Sequence, residues 1–99
     1  MDLESFDRDT IIISELAENS FKRTVHYFKE NEMYHRKESF FLNFRRLLAI
    51  LQTTVKEESE SRNDSQTQSA PLAENITLFY TLNNKKVQIL LFWNNLLNH

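Results

Sequence analysis

Glycine does not occur anywhere in the 99 residues of this chain, whereas average usage is about 7%. Glycine is the residue that most readily adopts a positive φ and that lets the backbone approach a ligand closely. Glycine-rich phosphate loops, dinucleotide-binding fingerprints and nucleophile elbows are therefore excluded. Tight turns must use Asn, Asp or Ser, and such a chain is most easily built from helices and long connections.

The length and charge of the chain limit it to one small domain without a dominant electrostatic field. Its 12 Lys and Arg nearly balance its 14 Asp and Glu. The absence of cysteine excludes disulfides, thiolate zinc sites and cysteine nucleophiles. The N-terminal sequence MDLESFDRD is acidic where a leader peptide is basic. We therefore expect an intracellular protein, in the nucleus or the cytoplasm.

The first apolar segment, at residues 7–18, contains three consecutive isoleucines, Ile11–Ile13. Asp7 or Asp9 is a suitable N-cap, and we predict a short helix here. Three β-branched residues in a row also suit a strand, which remains an alternative.

A long amphipathic helix is predicted at residues 20–57. Its main apolar stripe recurs at helical spacing and comprises Phe40, Phe41, Phe44, Leu47, Leu48, Leu51 and Val55. This stripe is rotated relative to the earlier one at Phe21, Val25 and Phe28. Either the helix breaks, with Ser39 capping its second half, or one helix presents two faces to two partners.

Residues 57–71 are polar, charged and of low complexity, and we predict a disordered linker. Three hydroxyl side chains in or beside kinase-like motifs are candidate phosphorylation sites. Ser61 precedes Asp64 by three residues, as in acidophilic kinase sites, and Ser65 and Thr67 each precede a glutamine.

The C-terminal segment, at residues 72–97, allows two interpretations. As a helix, it places its polar residues on one narrow stripe, with Pro71 near the first turn. As a hairpin, it turns at Asn83-Asn84 and pairs Tyr80 with Val87 and Leu78 with Ile89. We favour the helix.

The predicted fold class is therefore all-α, with residues 1–99 forming a single small helical domain. A short N-terminal helix precedes the long helix, and the C-terminal helix packs antiparallel on it as a helical hairpin of coiled-coil type. The alternative is an α+β fold with a C-terminal hairpin at Asn83-Asn84.

No arrangement of side chains indicates catalysis or a metal site. His26, His35 and His99 fit no zinc-binding spacing. The carboxylates concentrate in the acidic start and the linker, away from any apolar segment that would shift their pKa values. We predict no enzyme activity, no metal, no cofactor and no small-molecule ligand. Lys86, Gln88 and Asn94 interrupt the last apolar segment, so it is too short to span a membrane.

Protein binding is the function that the apolar faces favour. We predict a non-enzymatic subunit or adaptor of an intracellular multiprotein complex, binding other subunits or self-associating into a helical bundle. Buried aromatic anchors are expected to contribute most of the affinity. The predicted interface residues are Phe41, Phe44, Leu48, Leu51, Leu82, Ile89, Phe92, Trp93 and Leu96.

Two alternative functions come from other classes. Basic residues at 22–46 alternate with aromatic ones, a pattern typical of single-stranded nucleic-acid binding. The chain also has the size of a small viral-type inhibitor that occupies a groove of a host protein. Such an inhibitor should be a stable monomer, and a nucleic-acid binder should lose affinity steeply with salt.

Overall fold

The chain folds into a four-stranded sheet with two helices packed on one of its faces. The computed structural model describes residues 9–57 and 66–97. The elements are β1 (Ile11–Ile13), α1 (Glu15–Glu30), α2 (Tyr34–Glu57), β2 (Gln68–Ala73), β3 (Ile76–Asn83) and β4 (Lys86–Asn94). The strand order is β1-β4-β3-β2, with β1 parallel to β4 and the other pairs antiparallel.

The predicted all-α class is wrong, because residues 72–97 contain most of the sheet and no helix. Within the described ranges there is neither a helical hairpin nor a coiled coil. Alternate residues of β3, from Ile76 to Leu82, are buried under the helices. Thr77, Phe79 and Thr81, between them, lie on the other face of the sheet, as the strand period of two requires. In β4 apolar residues occupy both faces from Ile89 to Trp93, and this continuous run resembles an apolar helix in sequence.

The β3–β4 hairpin resembles the alternative fold, but its turn and register differ. The turn residues are Asn84 and Lys85, with φ of 50° and 61°, one position later than predicted. Tyr80 lies opposite Ile89 rather than Val87. A register irregularity after Phe79 leaves Leu90 without an opposite residue on β3.

The isoleucine segment forms β1 and not a short helix. Ile11–Ile13 pairs in parallel with Val87–Ile89 of β4. Helix α1 then begins after Ser14, whose Oγ accepts a hydrogen bond from the Ala17 amide at 3.0 Å. Asp7, one of the two predicted caps, lies outside the described residues.

The predicted long helix at 20–57 is two helices, and the break falls at residues 31–33. Ser39 lies inside α2 and caps nothing. The chain turns at Glu32, which has a positive φ of 53°. Asn31 caps the C-terminus of α1, because its side chain and its backbone amide both donate to the Tyr27 carbonyl.

Strand β2 begins at Gln68, inside the segment predicted to be a disordered linker. Residue 57 belongs to α2, and residues 58–65 lie outside the described ranges. Pro71 is accommodated because β2 is an edge strand. The Asn43 amide donates to the Leu72 carbonyl at 2.7 Å and so ties β2 to α2.

Phenylalanines from both helices and from β4 form the centre of the core. Phe92 is fully buried, and its ring lies 5.2 Å from Phe21, 6.0 Å from Phe40 and 5.0 Å from Phe44. Edge-to-face contacts at these separations are favourable for aromatic rings. One side chain of the sheet thus contacts both helices.

Helix α1 also provides hydrogen bonds to β4 beyond the short strand β1. The Ser14 hydroxyl donates to the Leu90 carbonyl at 3.0 Å. The Ser20 hydroxyl accepts from the Phe92 amide at 3.0 Å and donates to the Ala17 carbonyl at 3.1 Å. Ser14 and Ser20 therefore satisfy backbone groups of β4 that would bond to β1 if that strand were longer.

The Ser20 bond predicts a specific loss of stability. In Ser20→Ala the buried amide of Phe92 loses its acceptor, and we expect a loss of about 1–3 kcal/mol in the free energy of unfolding. Urea denaturation measures it. Ser39→Ala, at an exposed serine of α2, is the matched control and should change stability little. Equal losses in the two variants would contradict a role for the Ser20 bond.

The Asn84–Lys85 turn predicts a gain of stability. Two-residue turns with positive φ at both positions prefer Asn-Gly, and a left-handed conformation costs a non-glycine residue about 1–2 kcal/mol. After the entropy that glycine adds to the unfolded chain, we expect Lys85→Gly to stabilise by about 0.5–1 kcal/mol. Lys85→Val, with its β-branched side chain, should destabilise. The denaturation midpoints of the three proteins test this order.

Candidate protein-binding surface

The sheet has a second face on which neither helix packs, here called the open face. Its residues alternate along each strand with the core residues. They are Ile12, Ser69, Pro71, Thr77, Phe79, Thr81, Asn83, Lys86, Gln88, Leu91 and Trp93. Phe79, Leu91 and Trp93 are half-buried, and Ile12 is 43% exposed.

Bulky apolar side chains on the open face are neighbours in the strand register. Phe79 lies opposite Leu91, and Thr77 lies opposite Trp93. On the other side of β3, Ser69 and Pro71 lie opposite Phe79 and Thr77. Directly opposite side chains stand about 4.5–5.5 Å apart. Phe79, Leu91 and Trp93 therefore form one contiguous apolar patch.

Two polar groups of the open face, on Trp93 and Thr81, already have hydrogen-bond partners, whereas the buried Asn83 Oδ1 has none within the described residues. The Trp93 indole Nε1 donates to the Asn95 Oδ1 at 2.6 Å. The Thr81 hydroxyl donates to the Gln88 Oε1 at 2.8 Å. An unpaired polar group costs about 1–3 kcal/mol when it is buried. The internal bonds allow an apolar partner to cover the indole and the threonine hydroxyl without that penalty.

Charge is nearly absent from the sheet. The four strands contain no acidic residue and one cation, Lys86, whose ammonium donates to the Asp9 carbonyl. Helices α1 and α2 carry most of the charge of the described chain. Depletion of charge is characteristic of the centre of protein–protein interfaces.

Both edges of the sheet are poor sites for adding a strand. Edge strand β1 has three residues. Edge strand β2 contains Pro71, and its register shifts between Pro71 and Ala73. Short edges, proline and bulges are features that prevent edge-to-edge pairing. The open face, and not an edge, is therefore the surface best suited to docking.

Most of the predicted interface residues lie in the core of the chain itself. Seven of the nine are at most 8% exposed: Phe41, Phe44, Leu48, Leu51, Leu82, Ile89 and Phe92. Leu96 is 46% exposed, and Trp93 lies on the open face. Phe79 and Leu91, also on the open face, were not among the predicted residues. The alternation of Thr77, Phe79 and Thr81 with apolar neighbours was the signal that could have indicated them.

The candidate phosphorylation sites are placed only in part. Ser61 and Ser65 lie outside the described residues, whereas Thr67 is exposed immediately before β2.

A small molecule would need an enclosed pocket and a metal ion would need a cluster of ligating side chains, and the described part of the chain offers little of either. A shallow depression of about 360 Å³ on α1 is lined by Arg23, His26, Tyr27, Glu30, Asn31 and Leu97. None of these six side chains is buried, so the depression does not exclude water as ligand pockets do. Residues 9–57 and 66–97 contain no group of three or more His, Asp or Glu that could hold a metal ion. Neither helix of the described chain has an apolar stretch long enough to cross a bilayer.

The aromatic residues of the basic segment 22–46 are mostly part of the core. Phe28, Phe40 and Phe44 are at most 3% exposed and have no ring face available for a base. Tyr34 is 54% exposed, with the Lys37 ammonium 5.4 Å from its ring centroid. Single-strand binding depends on several successive aromatic rings that are free to stack with bases. Residues 22–46 do not present such a series of exposed rings.

No protein-family model, curated protein or solved structure matches the chain. The described residues form a small α+β domain in which the helices cover one face of the sheet. The open face carries an apolar patch, several polar side chains and one cation, Lys86.

The assignment of the two faces can be tested with neighbouring residues of β4. Phe92→Ala should remove about 3–5 kcal/mol of stability, because Phe92 fills the space between both helices. Leu91→Ala, on the open face, should cost no more than about 1.5 kcal/mol. Thermal or urea denaturation of dilute protein compares them. Comparable losses would show that the open face is packed as tightly as the core.

Proposed function

We propose that this chain is a non-enzymatic protein-interaction module, a small subunit or adaptor of an intracellular complex, and that its open face is the binding surface. The observation that carries the proposal is the patch formed by Phe79, Leu91 and Trp93 on a face that neither described helix covers. Contiguous apolar patches on the surface of a small domain are typical of interaction sites.

The affinity would come from burial of these side chains against an apolar partner surface. Removal of apolar area from water contributes about 25 cal/mol per Å², and large aromatic residues contribute most at interface centres. Phe79 and Trp93 are the anchors in this proposal. The hydrogen bonds of Trp93 and Thr81 reduce the desolvation cost that otherwise cancels part of such a gain.

The alternatives receive different support. Nucleic-acid binding through residues 22–46 receives less, because Phe28, Phe40 and Phe44 are in the core. An inhibitor that occupies a host groove would use the same open face, and only the identity of its partner would differ. The location in the nucleus or the cytoplasm stays part of the proposal, and the cysteine-free composition is consistent with it.

Photo-crosslinking in cells tests the proposed surface without knowledge of the partner. Phe79 is replaced by the photoreactive analogue p-benzoylphenylalanine, and the matched control carries the same analogue at Ile50, which is 62% exposed on α2. We expect a discrete protein adduct from position 79 and none of the same mass from position 50, because crosslinking requires direct contact.

The outcome that contradicts the proposal is equally defined. If position 79 gives no protein adduct, or if both positions give the same adducts, the open face is not a specific binding surface. Circular dichroism of each variant establishes that the sheet and helices have formed before the comparison is made.

A further inference from the structure

We propose that Thr67 is a phosphorylation site and that its phosphate prevents a partner protein from docking on the open face. This inference rests on the proposed function and adds the regulation of the same surface. Two observations support it. Thr67 is an accessible hydroxyl followed by glutamine, and the strand register places it beside the apolar patch. The effect of the phosphate does not depend on which apolar partner binds.

Few hydroxyl side chains of the described chain are accessible to a kinase. Five serines and threonines of residues 9–57 and 66–97 are exposed: Ser39, Thr53, Thr54, Thr67 and Ser69. The first three lie within α2, which would have to unwind before they could extend along a kinase active site. Of the other two, only Thr67 precedes a glutamine. Thr67 is therefore the accessible hydroxyl that kinases selecting Ser or Thr before Gln would modify.

The strand register places Thr67 close to the apolar patch. Ser69 of β2 lies opposite Phe79 of β3, so the antiparallel pairing, continued by one residue beyond β2, brings Thr67 opposite Thr81. Alternate residues of a strand share a face, and Thr67 therefore stands on the same side as Ser69. Phe79, an anchor of the proposed surface, is its diagonal neighbour, and such neighbours are about 7–8 Å apart. A phosphate on Thr67 would border the patch.

The sheet offers little positive charge to neutralise a phosphate at this position. The one cation of the described strands, Lys86, lies on β4, about 10 Å and two strands away from β2. Its ammonium donates to the Asp9 carbonyl, and Lys85 lies in the turn beyond the paired residues. A phosphothreonine carries a charge of about −1.5 to −2 at pH 7. An apolar partner would have to remove its water without replacing it, which opposes docking.

The modification itself is a phosphoryl transfer from ATP, catalysed by a protein kinase that selects glutamine after the acceptor residue. A bond forms between the Thr67 Oγ1 and the γ-phosphorus, while the bond from that phosphorus to the β–γ bridging oxygen breaks and ADP leaves. The hydroxyl proton passes to the aspartate base of the kinase. The chain contributes only the acceptor hydroxyl and the residues that the kinase recognises.

Phosphorylation of the folded, full-length chain tests the site. The wild type is incubated with ATP and a kinase that selects Ser or Thr before Gln, and mass spectrometry locates the phosphate. We expect phosphothreonine at residue 67 in the wild type and its loss in Gln68→Ala, which keeps the acceptor hydroxyl. A product without phosphate on Thr67, or equal phosphorylation of Gln68→Ala, would overturn the inference.

Photo-crosslinking in cells from the analogue at position 79 tests the effect of the charge. Thr67→Glu should lower the yield of the protein adduct by about tenfold or more, because docking would desolvate its carboxylate. Thr67→Gln has the same size without the charge and should retain the adduct, as should Thr53→Glu on the exposed side of α2. Circular dichroism establishes that each variant is folded, and Thr67→Asp replaces Thr67→Glu if the latter is not.

The failure of this inference is distinguishable from failure of the proposed function. If the analogue at position 79 gives an adduct whose yield is unchanged by Thr67→Glu, or is lowered equally by Thr67→Gln, the regulation is wrong and the open face remains a binding surface. If position 79 gives no adduct when Thr67 is unaltered, the proposed function fails and the regulation fails with it.

Discussion

The position of Phe92 between the two helices is the contact on which the rest of the structure depends. Its strand, β4, is an interior strand with β3 on one side and β1 on the other. Its ring packs against Phe21 of α1 and against Phe40 and Phe44 of α2. Its backbone amide is bonded to Ser20. Placing this one residue fixes the sheet relative to both helices, and the same placement turns Leu91 and Trp93 to the opposite face.

Much of the helical half of the fold could be predicted from the sequence, and little of the sheet. The spacing from Phe40 to Val55 indicates α2 because only one side of that helix is buried. In β4 both faces carry apolar side chains, so the period of two disappears into a continuous apolar run. No glycine marks these turns in the sequence, because Asn75, Asn84 and Lys85 adopt the positive φ values themselves. Without that signal, a hairpin and an apolar helix are hard to distinguish.

The candidate site was harder to predict than the fold, because interface and core use the same residue types. Phe44 and Leu51 were assigned to a partner's surface when a partner was needed to cover an all-helical chain, yet the sheet covers them. Trp93 was selected for its size, and it lies on the open face. Phe79 and Leu91 could be placed there only after the register of β3 and β4 was known. A patch of this kind is a property of strand pairing and not of a local motif.

The pairing of β1 with β4 has a consequence for the order in which the molecule assembles. Ser14 and Leu90, which are hydrogen bonded, are 76 residues apart in the chain, and closing so long a loop is entropically costly and slow. Helices α1 and α2 leave the ribosome before β4 does, so their phenylalanines have no sheet to cover them for most of synthesis. The apolar faces of both helices stay exposed until β4 inserts between β1 and β3, and transiently exposed apolar surface of this kind favours aggregation.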